Sequence, residues 1–134
     1  MAGRRREPLW LSRTVIDAIH SDQIREHGGL AGLRDEHGLE AALARPRQKW
    51  HYDAKIDLPS LAAAYAFGLI TNHPYRDGNK RIGFLAMVTF LEMHDLRFTA
   101  TDAEVVAEIL AVAAGRRSEQ ELIVWVRHHS SKAS

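Results

Sequence analysis

Apolar residues recur at helical spacing along most of the chain and predict about six helices. The first helix begins after Ser12, a residue type that caps helix N-termini, and ends at the Gly28-Gly29 pair. A shorter second helix covers residues 39–43, and Pro46 is expected to end it because an interior proline breaks helical hydrogen bonding. The apolar positions that define these two helices are Val15, Ile16, Ile19, Ile24, Leu39, Ala42 and Leu43.

The two most apolar helices flank one polar turn. Asp57 is a suitable cap for a helix that carries Pro59 in its first turn and continues to Asn72. The next helix runs from Asn79 to about His94 and is apolar on nearly all sides, which is typical of a helix at the centre of a bundle. We therefore expect this pair of helices to form the core of the domain.

Two capping boxes predict the last two helices. Thr101 with Glu104 begins one helix, which ends near the next glycine, and Ser118 with Glu121 begins another, which ends near His129. Apart from these helices, no segment shows the alternating pattern of a clear strand.

The segments between and outside the helices complete the predicted organisation. Residues 50–56 mix aromatic, charged and β-branched types without a helical stripe, which indicates a loop or a small flap hairpin. Residues 1–8 are expected to be a flexible tail, and residues 130–134 a frayed end. At 134 residues the chain fits one domain, so the sequence predicts a single all-α domain over residues 1–134.

Charge and composition exclude several classes of partner. Eighteen Lys and Arg residues against seventeen Asp and Glu residues leave a formal net charge of +1, so we expect no direct nucleic-acid partner. The absence of cysteine excludes disulfides and thiolate metal sites and fits a reducing compartment, for which the cytoplasm is the default. The longest apolar stretch, residues 82–91, is about half as long as a membrane span needs to be, so no membrane partner is expected either.

One contiguous motif carries most of the candidate chemistry. Residues 73–81 read His-Pro-Tyr-Arg-Asp-Gly-Asn-Lys-Arg and lead directly into the most apolar helix. The N-terminus of a helix attracts anions through its unpaired N–H groups and its dipole. Lys80 and Arg81 would lie in the first turn, where cations oppose the dipole, and such a local conflict indicates a functional site. The motif therefore predicts a phosphate site.

The other residues of the motif have chemistry that fits a reaction at this phosphate site. His73 is the natural general base, because imidazole titrates near neutral pH. Asp77 offers a hard oxygen ligand to Mg²⁺, which takes further oxygens from substrate phosphates. Gly78 permits a tight turn that approaches a ligand closely, and Asn79 tolerates unusual backbone angles or caps the helix.

Lys80 and Arg81 would hold the phosphate, Lys80 as a compact charge and Arg81 through its planar guanidinium. Each residue also has an ordinary structural interpretation: His73 can close a helix, Asp77 can form a turn, and the two cations can be solvated surface residues. The conjunction of all these residues in one short stretch favours a functional site over any of these readings.

The motif resembles the signature of the Fic superfamily, and in particular its death-on-curing (Doc) branch, which reads His-x-Phe-x-Asp/Asn-Ala/Gly-Asn-Lys-Arg. Tyr75 replaces the usual phenylalanine conservatively. The helix lengths and the loop Gly28-Gly29-Leu30-x-Gly32 are also similar, so the resemblance covers nearly the entire chain. It implies a Fic/Doc-like bundle with ATP as the nucleotide and Mg²⁺ as the metal.

The resemblance also implies a role for each residue of the motif. His73 would be the base or the essential catalytic histidine, and Asp77 the Mg²⁺ ligand. Gly78 and Asn79 would form the anion nest, and Lys80 with Arg81 the phosphate clamp. Residues 50–56 would be the flap that aligns the target protein.

Two departures from the wider Fic pattern favour one reaction. Members that transfer AMP have glycine where this chain has Lys80, and a second arginine where it has Phe84. A lysine side chain would occupy room that the inner phosphates of the nucleotide need, and the missing arginine removes one of their cationic partners. Doc-like members are thought to bind the nucleotide the other way round and to transfer its γ-phosphate.

By resemblance, the chain is the toxin of a type II toxin–antitoxin pair that phosphorylates a Ser or Thr of a translation factor, with elongation factor Tu as the implied target. The sequence lacks the Ser/Thr-x-x-x-Glu-Gly/Asn helix of self-inhibited Fic enzymes. A Phd-like antitoxin would therefore inhibit it in trans. AMPylation of a target protein and a non-catalytic module that only binds an antitoxin are the alternative hypotheses.

Overall fold

The computed structural model of the protein describes residues 5–133, which form six helices and one small antiparallel sheet. All six predicted helices are present. The elements in chain order are α1 (Arg13–His27), α2 (Glu36–Tyr52), α3 (Leu58–Asn72), α4 (Asn79–Met93), β1 (Leu96–Phe98), α5 (Asp102–Ala113), α6 (Glu119–His128) and β2 (Ser130–Lys132).

The helix ends follow the signals in the sequence closely. The Ser12 hydroxyl accepts a hydrogen bond from the Val15 N–H group, and α1 ends at Gly28 with a φ of 81°. Asp57 caps α3 by accepting the Ser60 N–H. Both capping boxes, at the start of α5 and of α6, are formed in full. Local hydrogen bonding therefore explains where most helices begin.

The core is built around α3, which packs against α2, α4 and α6. Small residues allow the helices to approach closely: a Cβ atom on Gly68 would lie 3.2 Å from the Cα and Cβ atoms of Ala42 in α2. A Cβ atom on Gly83 of α4 would lie 2.7 Å from Ile70 Cγ1. Although α3 and α4 are strongly apolar, no helix within residues 5–133 combines the length and the hydropathy needed to cross a bilayer.

The second helix is longer than predicted, and Pro46 lies inside it instead of ending it. Helix α2 continues to Tyr52, and Pro46 is buried. An interior proline costs about 3 kcal/mol through a lost hydrogen bond and a clash with the preceding turn. Packing of α2 against α3, in which Ala42 meets Gly68 and Leu39 is fully buried, offsets this cost.

The observed strand pair also lies outside residues 50–56, the segment for which the sequence indicates a loop or a small hairpin. Residues 50–52 are the last turn of α2, and a short turn follows them. The observed sheet instead pairs Leu96 with Lys132 and Phe98 with Ser130. Each strand has three residues, which is too short to show an alternating pattern. The all-α fold class is confirmed, with a small sheet that closes the C-terminal end.

Both predicted flexible ends are more ordered than expected where the structure describes them. The Arg5 guanidinium donates a hydrogen bond to the Asp53 carbonyl and lies 4.0 Å from the centre of the Trp50 ring, and Pro8 is buried. Residues 130–132 form β2, and the Ala133 N–H donates to the Asp95 carbonyl. The remainder of both predicted ends, residues 1–4 and residue 134, lies outside the described residues.

A carboxylate on α6 connects this helix to α2, and its contribution to the free energy of unfolding can be tested. Glu119 accepts hydrogen bonds from Arg45 and lies 3.3 Å from the Lys49 ammonium. Burial alone would raise the pKa of the Glu119 carboxyl, but the two cations outweigh it and the pKa is lowered. The stabilisation is therefore present above the pKa of the unfolded chain and is lost as the pH falls through the folded pKa.

We expect Glu119→Gln to lower the free energy of unfolding by about 1–2 kcal/mol at neutral pH, because it leaves a hydrogen-bonding group but removes the charge that both cations contact. The loss should shrink in acid, where the wild-type carboxyl is itself protonated. Urea denaturation at pH 7 and pH 3 measures both values. Glu92→Gln, at an exposed position of α4, is the matched control and should change little. Equal losses from Glu119→Gln at the two pH values would contradict the ionic origin.

Candidate active site

The motif forms a tight turn between α3 and α4 that begins and ends in left-handed backbone conformations. His73 has a φ of 52° and ends α3, and Gly78 has a φ of 79° and begins α4. A positive φ is uncommon for a residue other than glycine. Arg34 supports it, because its Nε donates to the His73 carbonyl at 2.7 Å and its Nη2 to the Asn72 carbonyl at 2.9 Å. The guanidinium thus satisfies carbonyls at the negative end of the α3 dipole.

The Asn79 side chain is turned into this loop and is almost fully buried. Its Oδ1 accepts the Tyr75 N–H at 2.9 Å, and its Nδ2 donates to the Tyr75 carbonyl at 2.9 Å. The same Nδ2 lies 3.0 Å from His73 Nδ1. The side chain therefore organises the turn, and the part of Asn79 that is free to bind a phosphate is its backbone N–H.

Helix α1 holds the turn from the side through two residues that sequence reasoning missed as part of the site. Asp17 Oδ1 accepts the Tyr75 hydroxyl proton at 2.6 Å, and His20 Nε2 donates to the Asp77 carbonyl at 2.7 Å. The His20 ring is stacked on the Tyr75 ring at 3.7 Å between centroids. Burial and the adjacent Asp17 carboxylate raise the pKa of the Tyr75 hydroxyl, which stays protonated as the donor.

The loop between α1 and α2 runs beside the motif and fixes Asp77. The Leu30 N–H donates to Asp77 Oδ2 at 2.7 Å. A Cβ atom on Gly29 would lie 3.2 Å from Asp77 Cβ, so the glycine lets the loop come this close. Leu33 forms an isolated antiparallel bridge with Tyr75. The glycine loop and the motif thus form one unit, in which one Asp77 oxygen is held by the backbone.

The two predicted phosphate-binding cations occupy different surroundings. Lys80 is exposed and makes no ion pair or side-chain hydrogen bond with any of residues 5–133. Arg81 is half-buried, and its Nη1 donates to the Gln23 carbonyl of α1 at 3.2 Å. The structure therefore brings His73, Asp77, Gly78 and Asn79 together in one turn, leaves Lys80 in solvent beside it, and turns Arg81 toward α1.

The N-terminus of α4 differs from those of the other helices within residues 5–133. Side chains cap the remaining five, namely Ser12, Asp35, Asp57, Thr101 and Ser118, whereas no side chain caps α4 at Gly78. The first N–H groups of a helix have no partner within the helix itself. The backbone at Gly78–Arg81 is therefore an N-terminus of the kind that binds anions.

The donor set fits Mg²⁺ that arrives with a phosphate ligand. Within residues 5–133, no group of three or more His, Asp or Glu side chains is placed to hold a metal ion by itself. Asp77 keeps Oδ1 available, since its described side-chain hydrogen bond is made by Oδ2. Because Mg²⁺ commonly uses one or two carboxylates together with water and substrate phosphates, a single carboxylate oxygen next to an anion-binding helix end is a suitable donor set.

The fold and the site together define a helical bundle with a histidine-bearing turn between α3 and the uncapped N-terminus of α4. The family model for the Fic/DOC family matches residues 10–91, which contain α1 to α3, the turn and most of α4. The chain belongs to this family, and the resemblance to its Doc branch is confirmed.

Two curated relatives carry the Doc name. The protein kinase doc of Escherichia phage P1 is 28% identical over 104 residues, which are 78% of this chain and 81% of the relative. The toxin Doc of Mycolicibacterium smegmatis is 39% identical over 74 residues, which are 54% of this chain and 57% of the relative. The matched part of the chain thus spans most of the phage protein and somewhat more than half of the mycobacterial one.

Proposed function

We propose that the protein is the toxin of a type II toxin–antitoxin pair and acts as a protein kinase. It would use Mg²⁺ and ATP and transfer the γ-phosphate to a Ser or Thr hydroxyl of a translation factor, with elongation factor Tu as the first target to test. One relative is a protein kinase and the other a toxin, which supports this assignment. The observation that carries it is the uncapped N-terminus of α4, which begins within the same turn as His73.

In this proposal each part of the turn has a separate task. The backbone N–H groups of Gly78–Arg81 bind phosphate oxygens, and the exposed Lys80 supplies a positive charge from the solvent side. Asp77 Oδ1 would hold Mg²⁺, which neutralises charge on the phosphates when it is bound. His73, also exposed, is the catalytic histidine that contacts the reacting groups.

The surroundings of Phe84 support transfer of the γ-phosphate over transfer of AMP. The Phe84 ring packs edge-on against Phe98 of β1, with 5.9 Å between centroids. Position 84 therefore contributes to the sheet end of the bundle and supplies no cation to a nucleotide. The missing arginine removes one cationic partner of the inner phosphates, and Lys80 in place of glycine leaves them less room than in the AMP-transferring pattern.

Control of the activity would come from a separate protein. The self-inhibitory sequence of other Fic enzymes is absent from the chain, so a Phd-like antitoxin whose disordered segment folds on binding is the proposed inhibitor. A target in the translation machinery would place the activity in the cytoplasm. A short gene next to the one that encodes this chain would be the first candidate for the antitoxin.

Labelled ATP distinguishes the candidate reactions. The purified protein is incubated with elongation factor Tu, Mg²⁺ and ATP labelled at either the α or the γ phosphate, with the His73→Ala variant as the inactive control. We expect the γ label to appear on the factor and the α label to stay in solution. Transfer of the α label would replace the kinase assignment with AMPylation. Absence of both labels from the factor would exclude this target.

A further inference from the structure

We propose that His20, a residue of α1, is a positioning residue that keeps the N-terminus of α4 open to a phosphate. Its Nε2–H group donates to the Asp77 carbonyl at 2.7 Å and so fixes the peptide unit between Asp77 and Gly78. The orientation of this peptide unit follows from contacts within the protein alone. The identity of the anion, a phosphate of the nucleotide, rests on the proposed function.

Packing and a neighbouring residue of α1 hold the His20 ring in a fixed orientation. The ring is almost fully buried and lies on the Tyr75 ring, with 3.7 Å between centroids and 10° between planes. Asp17 precedes His20 by three residues, so the two lie on the same face of α1, and Asp17 accepts the Tyr75 hydroxyl proton at 2.6 Å. A carbonyl can only accept, so His20 Nε2 carries a hydrogen. The ring therefore presents its N–H group to the turn in one orientation.

The orientation of this peptide unit determines where the Gly78 N–H group points. All peptide bonds within residues 5–133 are trans, and in a trans peptide the C=O and N–H groups point in opposite directions. Because the Asp77 carbonyl faces His20 on α1, the Gly78 N–H faces away from α1. Among the described residues this N–H group has no acceptor. It is therefore available to an anion.

The same contact withholds an acceptor from the first turn of α4. If α4 began one residue earlier, the Arg81 N–H would pair with the Asp77 carbonyl, four residues before it. Gly78 could adopt the helical backbone angles that this requires, because glycine takes either sign of φ, but its φ is 79°. The first backbone hydrogen bond of α4 instead runs from the Ile82 N–H to the Gly78 carbonyl. In the part of the chain that the structure describes, the Arg81 N–H is thus left open together with that of Gly78.

Binding of ATP to three variants distinguishes donation by His20 from packing. His20→Phe keeps a ring that can lie on Tyr75 but has no donor, whereas His20→Gln loses the ring and can place an amide N–H group near the position of Nε2. We expect His20→Phe to weaken binding of ATP with Mg²⁺ about 10- to 100-fold, and His20→Gln to stay within about 3-fold of the wild type. Isothermal titration calorimetry measures both values.

His94→Phe is the matched control for these variants. The His94 ring also packs on an aromatic residue, Phe90, with 4.4 Å between centroids, and its Nδ1 donates to the Phe90 carbonyl at 2.7 Å. This variant should bind ATP like the wild type. Unchanged binding in His20→Phe would overturn the proposal. Equal losses in the two His20 variants, or a larger loss in His20→Gln, would also overturn it and assign the effect to the shape of the ring.

Backbone NMR signals show whether the open N–H groups meet the ligand. In ¹⁵N-labelled wild-type protein, addition of ATP and Mg²⁺ should move the amide proton signals of Gly78 and Arg81 downfield, because each N–H then donates to a phosphate oxygen. Binding of ATP that leaves both signals in place would overturn the proposal, even if neither His20 variant folds.

Hydrogen exchange needs no ligand and so separates this inference from the proposed function. In nucleotide-free His20→Phe the Arg81 N–H can donate to the released Asp77 carbonyl, so it should exchange about 10-fold more slowly than in the wild type. Unchanged exchange of the Arg81 amide in folded His20→Phe would overturn the positioning role. Should the wild-type protein bind no ATP and transfer no label, the proposed function fails, while the exchange rates still decide whether His20 fixes the peptide.

Discussion

The His73→Ala variant is expected to lose transfer of the γ label by about 10²- to 10⁴-fold and to lose toxicity, while keeping its fold. The side chain is exposed, and within residues 5–133 its described hydrogen-bond partner is Asn79. The backbone of the turn stays supported, because Arg34 binds the carbonyl of residue 73 and not its side chain. The left-handed conformation costs alanine about 1 kcal/mol, which a folded domain tolerates. Label transfer in vitro and growth arrest on expression measure the two losses.

Controls separate catalysis from binding. His37→Ala, at an exposed position of α2, replaces the same residue type outside the turn and should transfer label at the wild-type rate. Thermal melting should show that both variants are folded, and binding of the antitoxin should be unchanged. A folded His73→Ala protein that still arrests growth would contradict the enzymatic proposal. It would support a module that acts by binding alone.

The helix boundaries could be predicted because their causes lie within a few residues. The Ser12 cap, the Asp57 cap and the two capping boxes each connect residues three apart, and each is formed as the sequence pattern indicates. The apolar faces are equally local and indicate which helices are central. The longer course of α2 through Pro46 could not be predicted in this way, because it depends on packing against Gly68, far along the chain.

The candidate site could likewise be predicted only where its residues are close together in the sequence. The motif is contiguous, so its residues could be identified from the sequence. The structure places His73, Asp77 and Asn79 in one turn. The residues that hold this turn come from other elements. Arg34, Asp17 and His20 carry no pattern that connects them to the motif, and their roles appear only when α1 and the glycine loop are folded against it.

The directions in which side chains point could not be predicted from the sequence either. Asn79 could be read as part of an anion nest, yet its amide is used entirely inside the loop. Arg81 could be read as a partner of Lys80, yet it binds the Gln23 carbonyl. The Asn79 orientation follows from the buried backbone groups of Tyr75, which must be satisfied, whereas Arg81 contacts a carbonyl of the half-buried Gln23 in α1. The turn is thus held rigidly before any ligand binds, which suits precise positioning.

Asp77→Asn is expected to reduce γ-label transfer by about 10²- to 10³-fold at ordinary Mg²⁺ concentrations, because it removes the charge that would hold the metal. The substitution keeps the structural role of the side chain: the amide oxygen can still accept the Leu30 N–H. The loss should become smaller as the Mg²⁺ concentration rises, since a weakened ligand set is filled by mass action. Initial rates over a Mg²⁺ titration measure this dependence.

Two further variants isolate the metal contribution. Asp77→Ala removes the Leu30 contact as well as the charge, so its difference from Asp77→Asn in thermal stability reports the loop contact alone. Asp22→Asn, at an exposed position of α1, is the matched control for loss of a negative charge outside the turn and should leave the Mg²⁺ dependence unchanged. If Asp77→Asn transferred label like the wild type at every Mg²⁺ concentration, Asp77 would be a turn residue held by Leu30. The metal would then have to be bound by the nucleotide phosphates without a protein ligand at this position.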